Sequence, residues 1–334
     1  ILSVLNNIVF LYHSNTRKVK DNLKFNINKG EIMKNIMILA VLLLIFLYSC
    51  EEPQIVGRGK DCSFNKCEEG FVCNMDKCTD VAINIPDPIL KACLIEEIKW
   101  GNGADPFYEN LRDVFLYDAQ KIPVIDCGVN EQKSNDYSEI SSLEGLENFK
   151  NLKELLLVAK KLENLNPIQN LTELYYLEIE SAYELTNIWG IKNLTKLKAF
   201  RLADIYLLND LSPIENLTNI TGLVFYNAKN IVDLRPLKNL TNLGIIQIHG
   251  AINLRDISVF KDLINLKVLN IFDCPNLSDI TPVSYLMNLE KLYLENDKIE
   301  DVTPIRSLIN LKELWLEYNY IKDISPLANL LNFL

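Results

Sequence analysis

The chain has 334 residues, of which 49% are hydrophobic, so it is long enough and apolar enough to bury a large core. Its formal net charge is −10, and without residues 1–49 the remaining 28 basic and 42 acidic residues give −14. Because that part contains no basic cluster, the composition argues against nucleic acid as a partner and is typical of a soluble acidic surface.

Residues 1–32 show no consistent hydrophobic pattern. The segment Lys29–Ile32, directly before Met33, could be encoded by DNA that contains a ribosome-binding sequence. We therefore expect translation to begin at Met33, and residues 1–32 to be an upstream segment that is not translated.

From Met33 onward the sequence has the organisation of a bacterial export signal, with Lys34 followed by an apolar run that ends at Leu47. The next residues, Tyr48-Ser49-Cys50, complete a segment that resembles a lipobox, although Tyr48 departs from the usual pattern. This resemblance implies that residues 33–49 are a lipoprotein signal peptide and that Cys50 is lipidated and anchored in a lipid bilayer. The alternative is an uncleaved signal anchor.

Residues 50–61 are polar and contain Gly and Pro, which is typical of a short tether. Residues 62–80 contain four cysteines, which in an exported chain predict a small module with two disulfides in one of three pairings. Zinc is the alternative, but cysteines separated by four or five residues fit the usual sites poorly, so we predict no metal. The four cysteines are Cys62, Cys67, Cys73 and Cys78.

Residues 81–139 form a candidate cap region. Pro86 and Pro88 can begin a helix, and the apolar residues that follow lie on one helical face. That face comprises Ile89, Leu90, Cys93, Leu94 and Ile98. We expect Cys93 to form a disulfide with Cys127, which lies further along the same region.

Residues 140–334 repeat one pattern with a period of 22 or 23 residues, which is typical of a solenoid. After each phase mark, apolar residues follow at +3, +6, +9 and +11. The last two alternate as in a short strand with one buried face, and later apolar residues at every third position favour a 3₁₀ or coil return. The phase marks are Leu146, Ile168, Ile191, Ile214, Leu237, Phe260, Val283, Ile305 and Leu327.

The segment Leu311–Leu330, with the sequence LKELWLEYNYIKDISPLANL, resembles the leucine-rich repeats of bacterial internalin-type proteins. This resemblance covers the chain from Leu146 onward. It implies an α/β-type solenoid, a horseshoe of about eight units and a truncated one, with a parallel β-sheet on its concave face. The region around Pro88 likewise resembles the helical cap of such proteins. The chain stops within a unit at Leu334, so we expect further residues beyond it.

The sequence departs from the family at the inward polar position, where Asn usually satisfies backbone groups. Asn319 fits this position and Asp297 is a possible substitute. The other units carry Lys160, Ala182, Ile205, Ala228, Ala251 and Cys274. We expect Cys274 to be a small buried hydrophobe rather than a reactive thiol.

Little in the sequence predicts catalysis. A Ser-His-Asp or Cys-His arrangement in the repeats would have to use His249, which we expect to be a surface residue. No pair of carboxylates, phosphate loop or metal-ligand motif stands out, so we predict a protein that is not an enzyme and needs no cofactor. The recurring NLT matches a glycosylation acceptor, but the simpler interpretation is the outer turn of the repeat.

The strand positions +8, +10 and +12 face away from the core, and from Val224 to Trp315 they are rich in aromatic and β-branched residues. Such a face predicts a protein-binding surface, since Tyr and Trp are common anchors; the alternative is β-propensity alone. The candidate contact residues are Tyr176, Arg201, Val224, Tyr226, Ile245, Gln247, His249, Val268, Asn270, Phe272, Tyr293 and Trp315.

Together these features predict an exported, lipid-anchored bacterial protein, on the cell surface or facing the periplasm, that binds a protein ligand. The internalin-type resemblance implies adhesion or recognition of a host or surface partner. One alternative is a structural or scaffold lipoprotein of the envelope. Another is the accessory domain of an enzyme whose catalytic part follows Leu334.

Overall fold

The computed structural model describes residues 71–74, 77–101, 111–128, 136–328 and 330, which belong to one compact unit, Gly57–Leu334. The predicted untranslated segment, the signal peptide, the lipidation site Cys50, the tether, Cys62 and Cys67 lie outside the described residues. Cys73 and Cys78 are opposite each other in the backbone register of an antiparallel hairpin, β1 (Phe71–Asn74) and β2 (Lys77–Asp80). Within the described part of the chain, no helix is long and apolar enough to cross a membrane.

Helix α1 (Pro88–Gly101) covers the first end of the solenoid. Leu90, Leu94 and Ile98 are fully buried on its inner face, which the spacing of the apolar residues predicted. The helix begins after Asp87, whose Oδ1 accepts the N–H groups of Ile89 and Leu90, each at 2.9 Å.

Asp87 also ties this helix to the first repeat. Its Oδ2 accepts the backbone N–H of Ser141 at 2.7 Å, the Ser141 hydroxyl at 2.8 Å and the N–H of Ser142 at 3.1 Å. Burial alone would raise the pKa of Asp87, but the hydrogen bonds from Leu90, Ser141 and Ser142 outweigh it and lower that pKa. A charged carboxylate therefore joins the cap to the repeats.

A ninth strand precedes the repeats. After the single helical turn α2 (Leu116–Ala119), strand β3 (Val124–Cys127) pairs in parallel with the first repeat strand. The sequence analysis did not predict it, because only four residues form it and they lie outside the periodic block. Cys127, at the end of β3, forms a disulfide with Cys93 of α1, with an S–S distance of 1.98 Å. The crosslink joins the cap helix to the edge of the sheet.

The repeats form a single parallel sheet in which every strand pairs with its neighbours in the sequence. Strands β4 to β10 occupy the positions +8 to +12 that the period predicted, and β11 occupies +8 to +10, so the leucine-rich repeat solenoid is confirmed. The strands are β4 (Glu154–Val158), β5 (Tyr176–Glu180), β6 (Ala199–Ala203), β7 (Gly222–Tyr226), β8 (Ile245–His249), β9 (Val268–Phe272), β10 (Lys291–Glu295) and β11 (Glu313–Trp315).

The return path of each unit passes through a 3₁₀ turn centred near the phase mark, as in Ser212–Ile214 and Thr303–Ser307. In six units an Asp begins this turn by accepting the N–H two residues later at 2.8–2.9 Å. These residues are Asp210, Asp233, Asp256, Asp279, Asp301 and Asp323. The Asn of each NLT is exposed just after a 3₁₀ turn, so it lies on the outer turn.

The inward polar position differs from the expectation in one unit and agrees with it at Asp297 and Asn319. Lys160 does not point inward: its ammonium lies 3.5 Å from Glu139, and the buried residue of that unit is Ala159. Asp297 is 3% exposed, and its Oδ1 accepts the N–H of Cys274 at 2.9 Å while Oδ2 has no hydrogen-bond partner. Asn319 satisfies the backbone groups around it, because its amide donates to the carbonyls of Leu294 and Leu316.

Candidate functional site

The concave face is the side of the sheet turned away from the core, and the strand register arranges its side chains in three rows. The central row, at +10, aligns Glu178, Arg201, Val224, Gln247 and Asn270 on successive strands, followed by Tyr293 and Trp315. The distal row, at +12, runs through the strand residues Glu180, Ala203, Tyr226, His249, Phe272 and Glu295 and continues to Glu317, in the turn after β11. Residues 22 or 23 apart in sequence are therefore direct neighbours, which lets them interact as pairs.

At the N-terminal end of this face, one cation and two carboxylates form ion pairs with each other. Nη1 of Arg201 donates to the carboxylate of Glu178 and, at 2.5 Å, to Oε1 of Glu180. The hydroxyl of Tyr176 donates to the other oxygen of Glu178. Burial alone would lower the pKa of Arg201, but the two carboxylates raise it, so the guanidinium stays charged. One nitrogen of the guanidinium, Nη1, is therefore occupied by these two carboxylates.

A stack of rings continues from this cluster along the distal row. The guanidinium of Arg201 lies 5.1 Å from the ring centre of Tyr226, a cation–π contact. Tyr226 and His249 meet edge to face with centroids 4.5 Å apart, and His249 meets Phe272 at 5.7 Å. The hydroxyl of Tyr226 donates to Oε1 of Gln247 at 3.1 Å, which fixes the ring to the central row.

His249 lies on the concave surface, as expected, but it is only partly exposed. Its ring is held between Tyr226 and Phe272, and its Nε2 is buried without a hydrogen-bond partner. Burial lowers the pKa of His249 to about 4; the neighbouring Asn270 side chain works in the opposite direction but does not compensate. The imidazole is therefore neutral at physiological pH and belongs to the aromatic stack.

The other end of the concave face is more open. Tyr293 and Trp315 pack against each other with ring centroids 5.9 Å apart, and the Trp315 residue remains 48% exposed. The hydroxyl of Tyr293 donates to Glu313, and the ammonium of Lys291 lies 2.6 Å from the same carboxylate. These contacts hold the Tyr293 ring in place while one side of Trp315 faces solvent.

The predicted contact residues therefore divide into two groups. Val224 is only 1% exposed, because the longer side chains of Arg201 and Gln247 flank it in the central row. It lacks the accessible area of a contact residue and is removed from the candidate set. The others keep part of their surface and are Tyr176, Arg201, Tyr226, Ile245, Gln247, His249, Val268, Asn270, Phe272, Tyr293 and Trp315.

Glu178 and Glu180 are not among the predicted contact residues, although their strand positions, +10 and +12, place them on this face. The signal that identifies their role is the spacing to Arg201, since residues 21 to 23 apart at strand positions become neighbours on adjacent strands. Among the described residues, no group of three or more His, Cys, Asp or Glu side chains has the geometry to hold a metal ion.

Comparison with known proteins agrees with the repeat assignment. Residues 288–329 match the family model described as Leucine Rich repeats (2 copies). No curated protein sequence matches the chain at a significant level. This match and the repeat geometry described above show the leucine-rich repeat fold.

Two solved structures from Listeria monocytogenes are similar to the chain. The crystal structure of internalin C2 is 27% identical, covers 73% of this chain and 90% of its own, and has a TM-score of 0.49. A second internalin structure is 22% identical, with coverages of 74% and 93% and a TM-score of 0.41.

Proposed function

We propose that this protein is a non-enzymatic binding protein of the bacterial cell envelope, which recognises a protein ligand through its concave face. The observation that carries the proposal is the partly exposed Trp315 supported by Tyr293. A large aromatic side chain on a rigid sheet offers contact area at a small entropic cost, which is how binding anchors work. Solenoids commonly use their extended concave surface for this purpose.

The arrangement of the rest of the face supports the same proposal. Tyr226, His249 and Phe272 are locked by stacking, and Arg201 is held by two carboxylates. Side chains that are already fixed lose little freedom when a partner binds. The face is therefore organised before the ligand arrives.

The location belongs to the same proposal. The export signal and Cys50 favour a chain that is secreted, lipid-anchored and exposed at the cell surface or to the periplasm. The Cys93–Cys127 disulfide is consistent with an oxidising compartment outside the cytosol. Adhesion or recognition of a surface partner is the role that an anchored binding module would have.

Site-specific photo-crosslinking tests the proposal. Benzoylphenylalanine replaces Trp315 in one variant and Tyr285 in another; Tyr285 is 57% exposed and lies in the 3₁₀ turn Thr281–Tyr285, on the opposite side of the repeat. Each variant is irradiated with envelope and extracellular proteins of the source bacterium. We expect one defined protein adduct from position 315 and none from position 285. Equal adducts from both positions, or adducts from position 285 alone, would place binding elsewhere and favour an envelope scaffold.

A further inference from the structure

The C-terminal part of the concave face carries negative charge that the chain does not neutralise. Glu295 and Glu317 occupy the distal row on successive repeats, and the N–H of Asn296 donates to the Glu317 carbonyl at 3.0 Å, which brings the two units together. Asp273 lies next to this pair, directly after β9. Among the described residues, no Lys or Arg forms an ion pair with Glu295, Glu317 or Asp273.

At the N-terminal end of the distal row, by contrast, the carboxylate is ion-paired. There Glu180 is bound by Arg201 at 2.5 Å, and Arg201 also binds Glu178. In the proximal row, at +8, Lys291 binds Glu313 at 2.6 Å. Glu178, Glu180 and Glu313 are thus ion-paired, whereas Glu295 and Glu317, which lie beside Tyr293 and Trp315, are not.

This arrangement costs stability. Like charges on neighbouring strands repel each other, and both Glu317 and Asp273 act on Glu295 in addition to its partial burial. Burial, together with these carboxylates, raises the pKa of Glu295 above its ordinary value. The side-chain amide of Asn296 donates to Asp273, but no Lys or Arg of the described residues forms an ion pair with the three carboxylates, and a cation placed over the row would relieve the repulsion.

We propose that the protein ligand enters the C-terminal third of the concave face with a basic segment, whose Lys or Arg side chains lie over the carboxylates of Glu295 and Glu317 and over the ring of Trp315. This inference rests on the proposed function and specifies the chemistry of the partner. The carboxylates supply the ion pairs, and the partly exposed indole supplies a cation–π surface. The net charge of −10 attracts the same segment from a distance.

The geometry favours a peptide segment over a lone ion. The three carboxylates do not form a group that could hold a metal. Trp315 is 48% exposed beside them, and the exposed Tyr318 and Tyr320 follow it. An aromatic surface next to a row of carboxylates matches a chain in which long basic side chains carry both aliphatic stems and charge.

The test uses the full chain and a random peptide library displayed on phage. Peptides are selected on the unaltered protein and counter-selected on the Tyr293→Ala/Trp315→Ala variant, so that only ligands of this face remain. Synthetic versions are then titrated by calorimetry against the unaltered protein and Glu295→Gln/Glu317→Gln. The matched control is Glu163→Gln/Glu215→Gln, which removes two exposed carboxylates outside the concave face.

We expect the selected peptides to be enriched in Lys and Arg and to bind more weakly as salt is added. Glu295→Gln/Glu317→Gln lowers their affinity by about tenfold or more, whereas the control stays within about twofold. The same variant melts at an equal or higher temperature, because a repulsion is removed, so the loss of binding is not a loss of folding. Basic peptides whose affinity survives Glu295→Gln/Glu317→Gln would overturn the inference.

Two further results separate this inference from the proposed function. Peptides that depend on Tyr293 and Trp315 but show no excess of Lys or Arg would overturn the inference and leave the proposed function standing. A library that yields no peptide dependent on these two residues would count against the proposed function, and the inference would fall with it.

Discussion

The imidazole of His249 lies edge-on against the phenol ring of Tyr226, with ring centroids 4.5 Å apart and an interplanar angle of 85°. This contact, repeated on the other side by Phe272, excludes water from Nε2. A binding face built from stacked rings thus contains a titratable group that is kept neutral by its neighbours.

The stack makes stability depend on pH. The folded-state pKa of His249 is lowered to about 4, whereas the unfolded chain binds this proton near pH 6.5. The contribution of the neutral His249 ring to the free energy of unfolding is therefore complete above pH 6.5. It is lost as the pH falls from about 6.5 to about 4, by up to about 3 kcal/mol.

Urea denaturation across this pH range measures the effect, with His249→Phe as the matched variant that keeps a ring in the stack. We expect the variant to lose less stability than the unaltered chain between pH 6.5 and pH 4. An imidazole that titrates near pH 6.5 by NMR in the folded protein would contradict the buried stack.

Asp297 gives the opposite pH dependence. Burial and the nearby Asp273 and Glu295 raise the pKa of Asp297 to about 8, against the N–H of Cys274, which lowers it. The folded chain keeps a proton that the unfolded chain releases, so stability is lost as the pH rises from about 4 to about 8.

Replacing Asp297 by Asn removes this loss and supplies an amide donor of the kind that Asn319 uses. We expect Asp297→Asn to raise the free energy of unfolding at pH 7 by on the order of 3 kcal/mol and to have little effect near pH 4. Equal stability of the two proteins at pH 7 would show that the carboxyl is not held in a dry interior.

Arg201 supports the fold through its two carboxylate partners. Replacing it by Met leaves Glu178, which is 7% exposed, buried beside a vacant partner position. We expect Arg201→Met to lower the free energy of unfolding by about 3–5 kcal/mol. Adding Glu178→Gln to this variant should restore a large part of the loss, since the buried charge is then gone. Denaturation of the single and the double variant measures the loss and the recovery. A double variant that is no more stable than Arg201→Met would contradict the pairing.

Tyr318 is in an unfavourable backbone conformation. Its φ is 55°, at a position where other repeats place Ser181, Asp204, Asn227 or Asn296, and it is 79% exposed. Bulky residues tolerate the left-handed region poorly, whereas Asn adopts it readily.

We therefore expect Tyr318→Asn to stabilise the protein by about 1 kcal/mol. The control is Tyr320→Asn, a 60% exposed neighbour without a positive φ, which should change stability by less than about 0.5 kcal/mol. Thermal melting of both variants decides the question. A destabilised Tyr318→Asn would mean that the tyrosine ring makes a contact worth more than the strain.

The fold was predictable from the sequence because the solenoid repeats one local pattern. The +9 and +11 apolar residues define each strand, and all of β4 to β11 lie where this spacing places them. Strand β3 was missed because Val124–Cys127 does not share the period. Lys160 was misplaced because the first unit buries Ala159 instead, a one-residue shift that the hydrophobic period does not resolve.

For the binding face, the sequence predicts which residues lie on it but not how exposed each of them is. Strand alternation shows which residues face away from the core, but their exposure depends on the lengths of neighbours 22 or 23 residues away. Val224 is covered because Arg201 and Gln247 flank it. The His249 ring is partly covered because Tyr226 and Phe272 lie on either side of it. Such lateral packing is a property of the assembled sheet, and no local pattern encodes it.

The central claim, that the concave face binds a protein ligand, is tested most directly by one affinity comparison. The protein crosslinked at position 315 is purified and titrated by calorimetry against the unaltered chain, Tyr293→Ala/Trp315→Ala and the control Tyr285→Ala/Ile309→Ala. The control removes similarly exposed side chains from the opposite side of the repeats. We predict a loss of affinity of about a hundredfold for the first variant and little change for the control. Unchanged affinity in Tyr293→Ala/Trp315→Ala would contradict the claim.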